Sequence, residues 1–179
     1  MTKGTGGFLH PDEIIEKFGI EKNIKIADFG CGAGYFSISL AKIVEEEGKV
    51  YALDVLETAL ESVRNKAKAE GLFNIETIRA NLEIFEGSKL EKNSMDMVLL
   101  SNILFQSSKK QDIIKEAERV IKAKGKIVII ELKINQFMGP PEKFVVNKDL
   151  IKKITETLNL KLKKEFPAGN NHWGMIFTK

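Results

Sequence analysis

The run IKIADFGCGAGYFS at residues 24–37 decides the fold, because a short apolar strand pattern ends in glycines and a helical pattern follows at once. Glycines at positions 30, 32 and 34 let the backbone turn sharply and let a ligand lie directly on the main chain. Their spacing is G-x-G-x-G, and Tyr35 stands where a dinucleotide-binding turn needs glycine or alanine. The carboxylate of Asp28 would repel dinucleotide phosphates but can accept a hydrogen bond from the amino group of a zwitterionic ligand. The turn therefore predicts a zwitterionic ligand and disfavours NAD and FAD.

A second acid, Asp54, closes the strand-like run KVYALD at residues 49–54. An acid in this place is often only a turn former or a helix cap. Its separation from Gly30, however, is close to the roughly 20 residues expected between a glycine turn and an acid that binds ribose hydroxyls. Asp54 is therefore the candidate for ribose recognition.

These two motifs resemble those of the class I S-adenosylmethionine-dependent methyltransferases, and the resemblance covers the chain from about residue 10 to its end. It implies that S-adenosylmethionine is the cofactor. Asp28 would hold its amino group, the glycine turn its methionine end, and Asp54 its ribose, while the end of the fourth strand would face the transferred methyl group. The cofactor-binding residues predicted in this way are Asp28, Gly30, Cys31, Gly32, Gly34, Asp54, Val55, Asn81, Leu82, Ser101 and Asn102.

Asn81 departs from the family pattern, in which an aspartate accepts a hydrogen bond from the adenine amine. The side-chain carbonyl of asparagine can still accept one hydrogen bond, but without the assistance of a charge. We expect adenine recognition, shared with Leu82, to be weaker by about 1 kcal/mol and not lost. Asn81 could also act as a helix N-cap with Glu83 in the first turn, and this second role is compatible with the first.

Strand and helix patterns alternate along the chain, which predicts one domain over residues 1–179. The fold class is α/β, a Rossmann-like, doubly wound, seven-stranded sheet that is mostly parallel and ends in an antiparallel hairpin. The predicted strands are 24–29, 49–53, 74–78, 95–101, 126–132, 161–166 and 172–178. The predicted helices are 34–47, 57–70, 109–122 and 147–158. Only residues 1–13 and 133–146 remain to form substrate-binding elements, and the first of these segments is a candidate cover over the site.

Composition narrows the class of function further. The 179 residues carry 28 basic and 25 acidic side chains that are well interspersed, with a net charge of +3, which argues against a nucleic-acid partner. No apolar run is long enough to span a bilayer and no leader pattern is present, which predicts a cytoplasmic protein with no membrane partner. The single cysteine, Cys31, allows no multi-thiolate metal site, so no metal is expected. It is interpreted as a small residue that fills the turn rather than as a reactive thiol. The sequence leaves open whether the chain is a monomer or a homodimer.

The sequence offers three candidates for a catalytic base: Glu131, His10 and His172. A base is needed only if the acceptor must lose a proton, since methyl transfer from a sulfonium is otherwise a matter of positioning. Glu131 is the best placed, because it ends the fifth strand. His10 precedes Pro11 and could simply begin the first helix, and His172 beside Trp173 is more readily explained as a structural residue. Tyr35 and Phe105 are candidates for stacking on adenine or the acceptor, although core packing explains them better.

The resulting functional hypothesis is a methyltransferase that acts on a small, apolar or aromatic acceptor. The pattern from residues 8–11 to residues 131–133 is most similar to the group around the ubiquinone and menaquinone C-methyltransferases. Two alternatives stay open. One is a non-catalytic protein that binds S-adenosylmethionine or S-adenosylhomocysteine and acts through a partner, and the other is a methyltransferase of protein or nucleic acid.

Overall fold

The computed structural model describes residues 9–133 and 146–179. Its helices are α1 (Pro11–Ile15), α2 (Tyr35–Val44), α3 (Glu57–Ala69), α4 (Lys110–Val120) and α5 (Lys148–Thr157). Its strands are β1 (Lys25–Phe29), β2 (Lys49–Asp54), β3 (Ile75–Arg79), β4 (Met95–Ser101), β5 (Ile121–Leu132), β6 (Lys161–Ala168) and β7 (His172–Thr178). Two single turns of 3-10 helix cover Glu16–Phe18 and Leu104–Gln106.

The seven strands form one sheet in the order β3-β2-β1-β4-β5-β7-β6. The pairs among β1 to β5 are parallel, whereas β7 runs antiparallel to both β5 and β6. Because β7 points the other way, it begins at the edge of the sheet where the parallel strands end. The predicted fold class, with its antiparallel C-terminal hairpin, is confirmed.

Both faces of the sheet are covered, which explains why the central strands read as almost continuous apolar runs. One face packs against α4 and α5 through side chains such as Ile113, Val120 and Ile151. The other packs against α1 and α2 through side chains such as Ile15 and Leu40. Helix α3 lies against α2, β2 and β3. Helices on both sides leave the two ends of the strands as the places where a ligand can enter.

The predicted elements all exist, and their boundaries shift by a few residues. β5 begins at Ile121 instead of residue 126, because the chain continues along β4 through a register shift between Met95 and Met97. The connection from β3 to β4 contains turns and no α-helix, so Asn81 does not cap a helix. The predicted substrate segments fall mainly on residues 1–8 and 134–145, which lie outside the described residues.

The order of strands reverses between β1 and β4. The chain moves outward from β1 to β2 and β3 and then returns to β4 on the opposite side of β1. In open α/β sheets such a switch point leaves a crevice at the carboxyl ends of the strands, where ligands bind. Within the described residues, no helix combines the length and apolar character needed to cross a membrane.

Candidate functional site

A cavity of about 490 Å³ lies at this switch point. That volume falls within the ~300–1,000 Å³ usual for ligand pockets. Its lining brings together six of the predicted cofactor residues, namely Gly30, Gly32, Asp54, Val55, Asn81 and Leu82. The sequence therefore predicted residues from three separate loops that the structure places around one cavity.

The glycine turn forms the floor at one end of the cavity. The amide of Gly30 donates to the carbonyl of Leu53 over 2.8 Å, which holds the turn against β2. A Cβ atom at Gly30 would lie 2.6 Å from the side chain of Ile103, whereas a Cβ atom at Gly32 would meet nothing within 4 Å. Packing against Ile103 therefore favours glycine at position 30. Gly32, with a φ of +51°, lines the cavity and leaves the space beside its backbone open.

Asp54 is held by the backbone on both sides of the cavity. One carboxylate oxygen accepts the N–H of Gly32 at 3.0 Å, and the other accepts the N–H of Leu56 at 2.9 Å. Asp54 is half-buried and lines the cavity. Each carboxylate oxygen has a further lone pair, so the group can shape the turn and still accept ligand hydroxyls. The two roles weighed for Asp54, turn former and ribose acceptor, are compatible in this geometry.

Asp28 lies beneath the glycine turn and outside the cavity lining. Its side chain is 2% exposed and accepts a hydrogen bond of 2.6 Å from the hydroxyl of Ser37. Burial raises the pKa of Asp28 to about 6, while the Ser37 hydrogen bond opposes this rise and the charge of Asp54 adds to it. Contact between Asp28 and a ligand amino group stays a prediction.

Asn81 is exposed at the opposite side of the cavity. Its side-chain oxygen accepts the N–H of Glu83 at 3.0 Å, so Asn81 closes a turn. The carboxylate of Glu83 in turn accepts the hydroxyl of Ser107 at 2.6 Å. This hydrogen bond ties the loop after β3 to the loop after β4 across the cavity.

The loop after β4 contributes cavity residues that sequence reasoning missed. Ser101 and Asn102 do not line the cavity, whereas Ile103, Gln106 and Ser107 do. Asn102 adopts a φ of +54°, and its carbonyl accepts the Gln106 side-chain amide at 2.8 Å. An asparagine directly after a strand was the available signal, because it tolerates the left-handed backbone that turns the chain into the cavity wall.

Glu131 is fully buried at the end of β5 and faces the core beneath α4 and α5. One of its oxygens accepts the N–H of Leu104 at 2.7 Å, and the other has no hydrogen-bond partner in the structure as described. Burial raises the pKa of Glu131 to about 7, although hydrogen bonds from the backbone N–H groups of Leu104 and Phe105 act to lower it. The carboxylate thus supports the loop that walls the cavity without lining it, and its role as a base stays a prediction.

The two histidines lie in different surroundings. His10 is exposed at the start of α1, where it takes the N-cap position, while its catalytic role stays a prediction. His172 is buried at the start of β7, with Nε2 3.2 Å from the side-chain nitrogen of Asn102. Burial, assisted by the nearby Lys133 ammonium, lowers the pKa of His172.

Cys31 is half-buried in the glycine turn. Burial, with the charges of Asp28 and Asp54, raises the pKa of its thiol. Such a thiol is a poor nucleophile at neutral pH, which agrees with its interpretation as a filler of the turn. In residues 9–133 and 146–179, no three His, Cys, Asp or Glu side chains are grouped to hold a metal ion.

Two larger clefts lie away from the carboxyl edge. One, of about 890 Å³, is lined mainly by charged side chains of α4 and its surroundings, such as Lys115 and Glu118. The other, of about 940 Å³, lies beside the end of α2 and includes Glu45 and Phe73. Neither combines open backbone, a held carboxylate and apolar walls as the cavity at the switch point does.

Comparisons with known proteins show the family of the chain. Residues 20–178 match the model of a family described as a methyltransferase domain. A demethylmenaquinone methyltransferase of Geobacillus stearothermophilus is 33% identical over 119 residues, which is 66% of this chain and 50% of that protein. The chain therefore spans about half the length of the curated relatives it matches.

Solved structures show the same fold. An S-adenosylmethionine-dependent methyltransferase from Aquifex aeolicus superposes with a TM-score of 0.83 at 26% identity, covering 94% of this chain and 89% of that one. The [4+2]-cyclase SpnF superposes with a TM-score of 0.79 at 11% identity, covering 94% of this chain and 80% of the other. The second likeness concerns the fold alone.

Proposed function

The chain belongs to the class I S-adenosylmethionine-dependent methyltransferases, and from this premise we propose that it transfers a methyl group to a small, largely apolar acceptor. One observation carries the proposal. The cavity at the switch point joins an open glycine backbone, a carboxylate fixed by two N–H groups, and an amide on the opposite wall.

The residues present fit this cofactor. Gly32 leaves the space that a Cβ atom would fill, so the methionine part can lie on the backbone. Asp54 keeps free lone pairs that can accept the ribose hydroxyls, and the position of Asn81 and Leu82 in the lining of the same cavity supports a role at adenine. The carboxylates of Asp28 and Asp54 near the same turn favour a ligand of net positive charge, as S-adenosylmethionine is, over a dinucleotide, whose phosphates leave it net negative.

When bound, S-adenosylmethionine supplies an activated methyl group on a positively charged sulfur. The chain's own residues then have to bind, orient and shield the reacting groups. Apolar side chains line part of the cavity, among them the partly buried Ile103 and the solvent-exposed Val55 and Leu56. These walls and the demethylmenaquinone methyltransferases among the relatives support a small acceptor with an apolar ring.

Calorimetric titration with S-adenosylmethionine, S-adenosylhomocysteine and NAD tests the first part of the proposal. We expect micromolar binding of the first two and none of NAD. Transfer of labelled methyl from S-adenosylmethionine to a short-chain demethylmenaquinone and to simple phenols tests the second part. Cofactor binding without transfer to any of these acceptors would contradict the small apolar acceptor.

A second candidate is a protein that binds the cofactor and transfers no methyl group. The geometry of Asn81 favours it to a limited extent, because the side-chain oxygen expected to meet adenine already accepts the N–H of Glu83. Cofactor binding with no turnover on a broad acceptor panel would support this reading, and turnover with any one acceptor would exclude it.

A further inference from the structure

The cavity occupies only part of the carboxyl edge. Beyond it, the same edge continues along the ends of β4 and β5 to the start of β7. There the side chains of Asn102 and His172 meet, although they are 70 residues apart in sequence, with 3.2 Å between Asn102 Nδ2 and His172 Nε2. The cavity-lining turn begins directly after Asn102, so this pair lies beside the predicted methyl position.

Asn102 holds a buried polar atom with no partner. Three side-chain atoms in the described residues are of this kind: Asn74 Oδ1, Asn102 Oδ1 and Glu131 Oε2. A buried acceptor without a hydrogen bond destabilises the fold, so such atoms are rare unless a ligand or a rearrangement pairs them. Two of the three lie at this end of the sheet, one on Asn102 directly after β4 and one on Glu131 within β5.

A rotation of the Asn102 amide pairs this oxygen and leaves the NH₂ group in the position without a partner instead. Turned by half a revolution, the amide places Oδ1 where Nδ2 stood, within reach of the N–H of His172 Nε2. The oxygen is then paired, and the imidazole is fixed in the form that carries its proton on Nε2. In that form Nδ1 presents a lone pair, and no described residue donates to it. The Asn102 NH₂ group is left to donate to a ligand.

Glu131 does not belong to this pair. Glu131 is in register with Trp173, and Leu132 with His172. Since successive strand residues point to opposite faces, Glu131 and Trp173 face the core under α4 and α5, while His172 faces the side of α1 and α2. On this side of the edge the described residues include two buried titratable groups, Asp28 and His172. Asp28 is paired with the Ser37 hydroxyl, whereas the charged neighbour that acts on His172 is Lys133.

We propose that His172, oriented by Asn102, contacts a hydroxyl group of the methyl acceptor and takes its proton during transfer. This inference rests on the proposed function and specifies the acceptor as an apolar ring that carries a phenol or enol hydroxyl. The neutral imidazole favoured by burial and by Lys133 is the form that can accept a proton.

The step balances. The acceptor's O–H bond breaks with its electron pair left on the acceptor, and the proton moves to Nδ1 of His172. The acceptor then forms a bond to the methyl carbon through its oxygen or a conjugated ring carbon. Where the ring carbon is methylated, the resulting ketone returns to the hydroxyl form as that carbon's own proton is lost to water and the oxygen takes one up. The electron pair of the broken sulfur–carbon bond stays on sulfur, which gives S-adenosylhomocysteine, and His172 later releases the proton to water.

The test uses the full chain labelled with ¹⁵N-histidine and saturated with S-adenosylhomocysteine. The chain has two histidines, and the spectrum of His172→Gln identifies which ring signals belong to His172. We expect the neutral ring to carry its proton on Nε2. Addition of 1-naphthol should move the Nδ1 signal toward that of a protonated nitrogen, in a saturable way. A proton on Nδ1, or no response of the ring to 1-naphthol, would overturn the proposal.

Variants separate positioning from contact. His172→Gln should weaken 1-naphthol binding about tenfold while the S-adenosylhomocysteine affinity stays the same. Asn102→Ala should lose the preference for the Nε2 proton, and Asn102→Asp should restore it, because a carboxylate also accepts that N–H. Failure of S-adenosylhomocysteine to bind would reject the proposed function, whereas binding without these changes would reject only the role of His172.

Discussion

At the half of the carboxyl edge formed by β1, β2 and β3, the polar side chains that line the cavity bind backbone N–H groups and keep part of their surface exposed. Asp54 and Asn81 are the examples, with partners at Gly32, Leu56 and Glu83. At the half formed by β4, β5 and β7, polar side chains are buried and retain atoms without partners, as Asn102 and Glu131 do. In the first half, backbone N–H groups therefore hold the polar side chains in place for a ligand. In the second half, buried polar side chains can change their protonation state.

The largest effect is expected at Asp54, which joins both walls of the first half. Asp54→Ala removes the predicted ribose contact and also frees the N–H groups of Gly32 and Leu56. Loss of charge-assisted hydrogen bonds should lower S-adenosylmethionine affinity by about 3 kcal/mol, or about 100-fold, measured by calorimetry. Unchanged affinity would show that the ribose does not bind at Asp54.

Asp149→Ala is the matched control for Asp54→Ala, because it removes one exposed carboxylate from the first turn of α5, away from the cavity. We expect its cofactor affinity to equal that of the unaltered chain. Asp54→Asn adds a second comparison, since it keeps the side-chain shape and loses the charge. An affinity between those of Asp54→Ala and the original chain is expected.

In the second half, the titration of Glu131 should make the free energy of unfolding depend on pH. Its pKa is raised to about 7, above the ordinary value of 4.5, so the charged carboxylate is disfavoured in the folded chain. Below pH 4.5 both folded and unfolded chains are protonated there and nothing is lost. As pH rises from 4.5 to about 7, the unfolded chain ionises first, and folding loses up to about 3 kcal/mol.

Glu131→Gln removes this titration and keeps an oxygen that can accept the Leu104 N–H. The difference between the free energy of unfolding of the variant and that of the unaltered chain should therefore increase in favour of the variant as pH rises through this window. Urea denaturation at several pH values measures it. A difference that stays constant with pH would show that Glu131 is not the group that titrates.

Local and long-range features explain which parts of this arrangement were accessible from sequence. The strand–glycine–helix run and Asp54 are read within a few residues, because their partners are backbone groups in a fixed turn. The pairing of Asn102 with His172 depends on sheet order, since β7 is brought beside β5 only by the final hairpin. Burial of Glu131 likewise follows from the packing of α4 and α5 over the sheet. The local sequence at the end of β5 does not predict that packing.

A smaller effect should separate ligand contact from backbone strain in the glycine turn. Gly32 and Gly71 both have positive φ, +51° and +66°, and a Cβ atom at either position meets nothing within 4 Å. Alanine at either position should lower the free energy of unfolding by about 1–2 kcal/mol. Only Gly32→Ala puts its methyl group in the cavity, and it alone should weaken S-adenosylmethionine binding, about tenfold by calorimetry. Equal affinities in the two variants would show that no ligand lies on Gly32.

The smallest expected effect is an increase in cofactor affinity, and it concerns Asn81 in the first half. Asn81→Asp keeps an oxygen for the Glu83 N–H and supplies a charged acceptor for the adenine amine. S-adenosylhomocysteine affinity should rise by about 1 kcal/mol, or about fivefold. Asn159→Asp, in the turn after α5, changes the net charge equally and should leave the affinity unchanged. If both variants gain alike, long-range charge explains the change. If neither gains, the oxygen of residue 81 serves only the turn, and adenine must be recognised by the backbone and apolar wall beside Leu82.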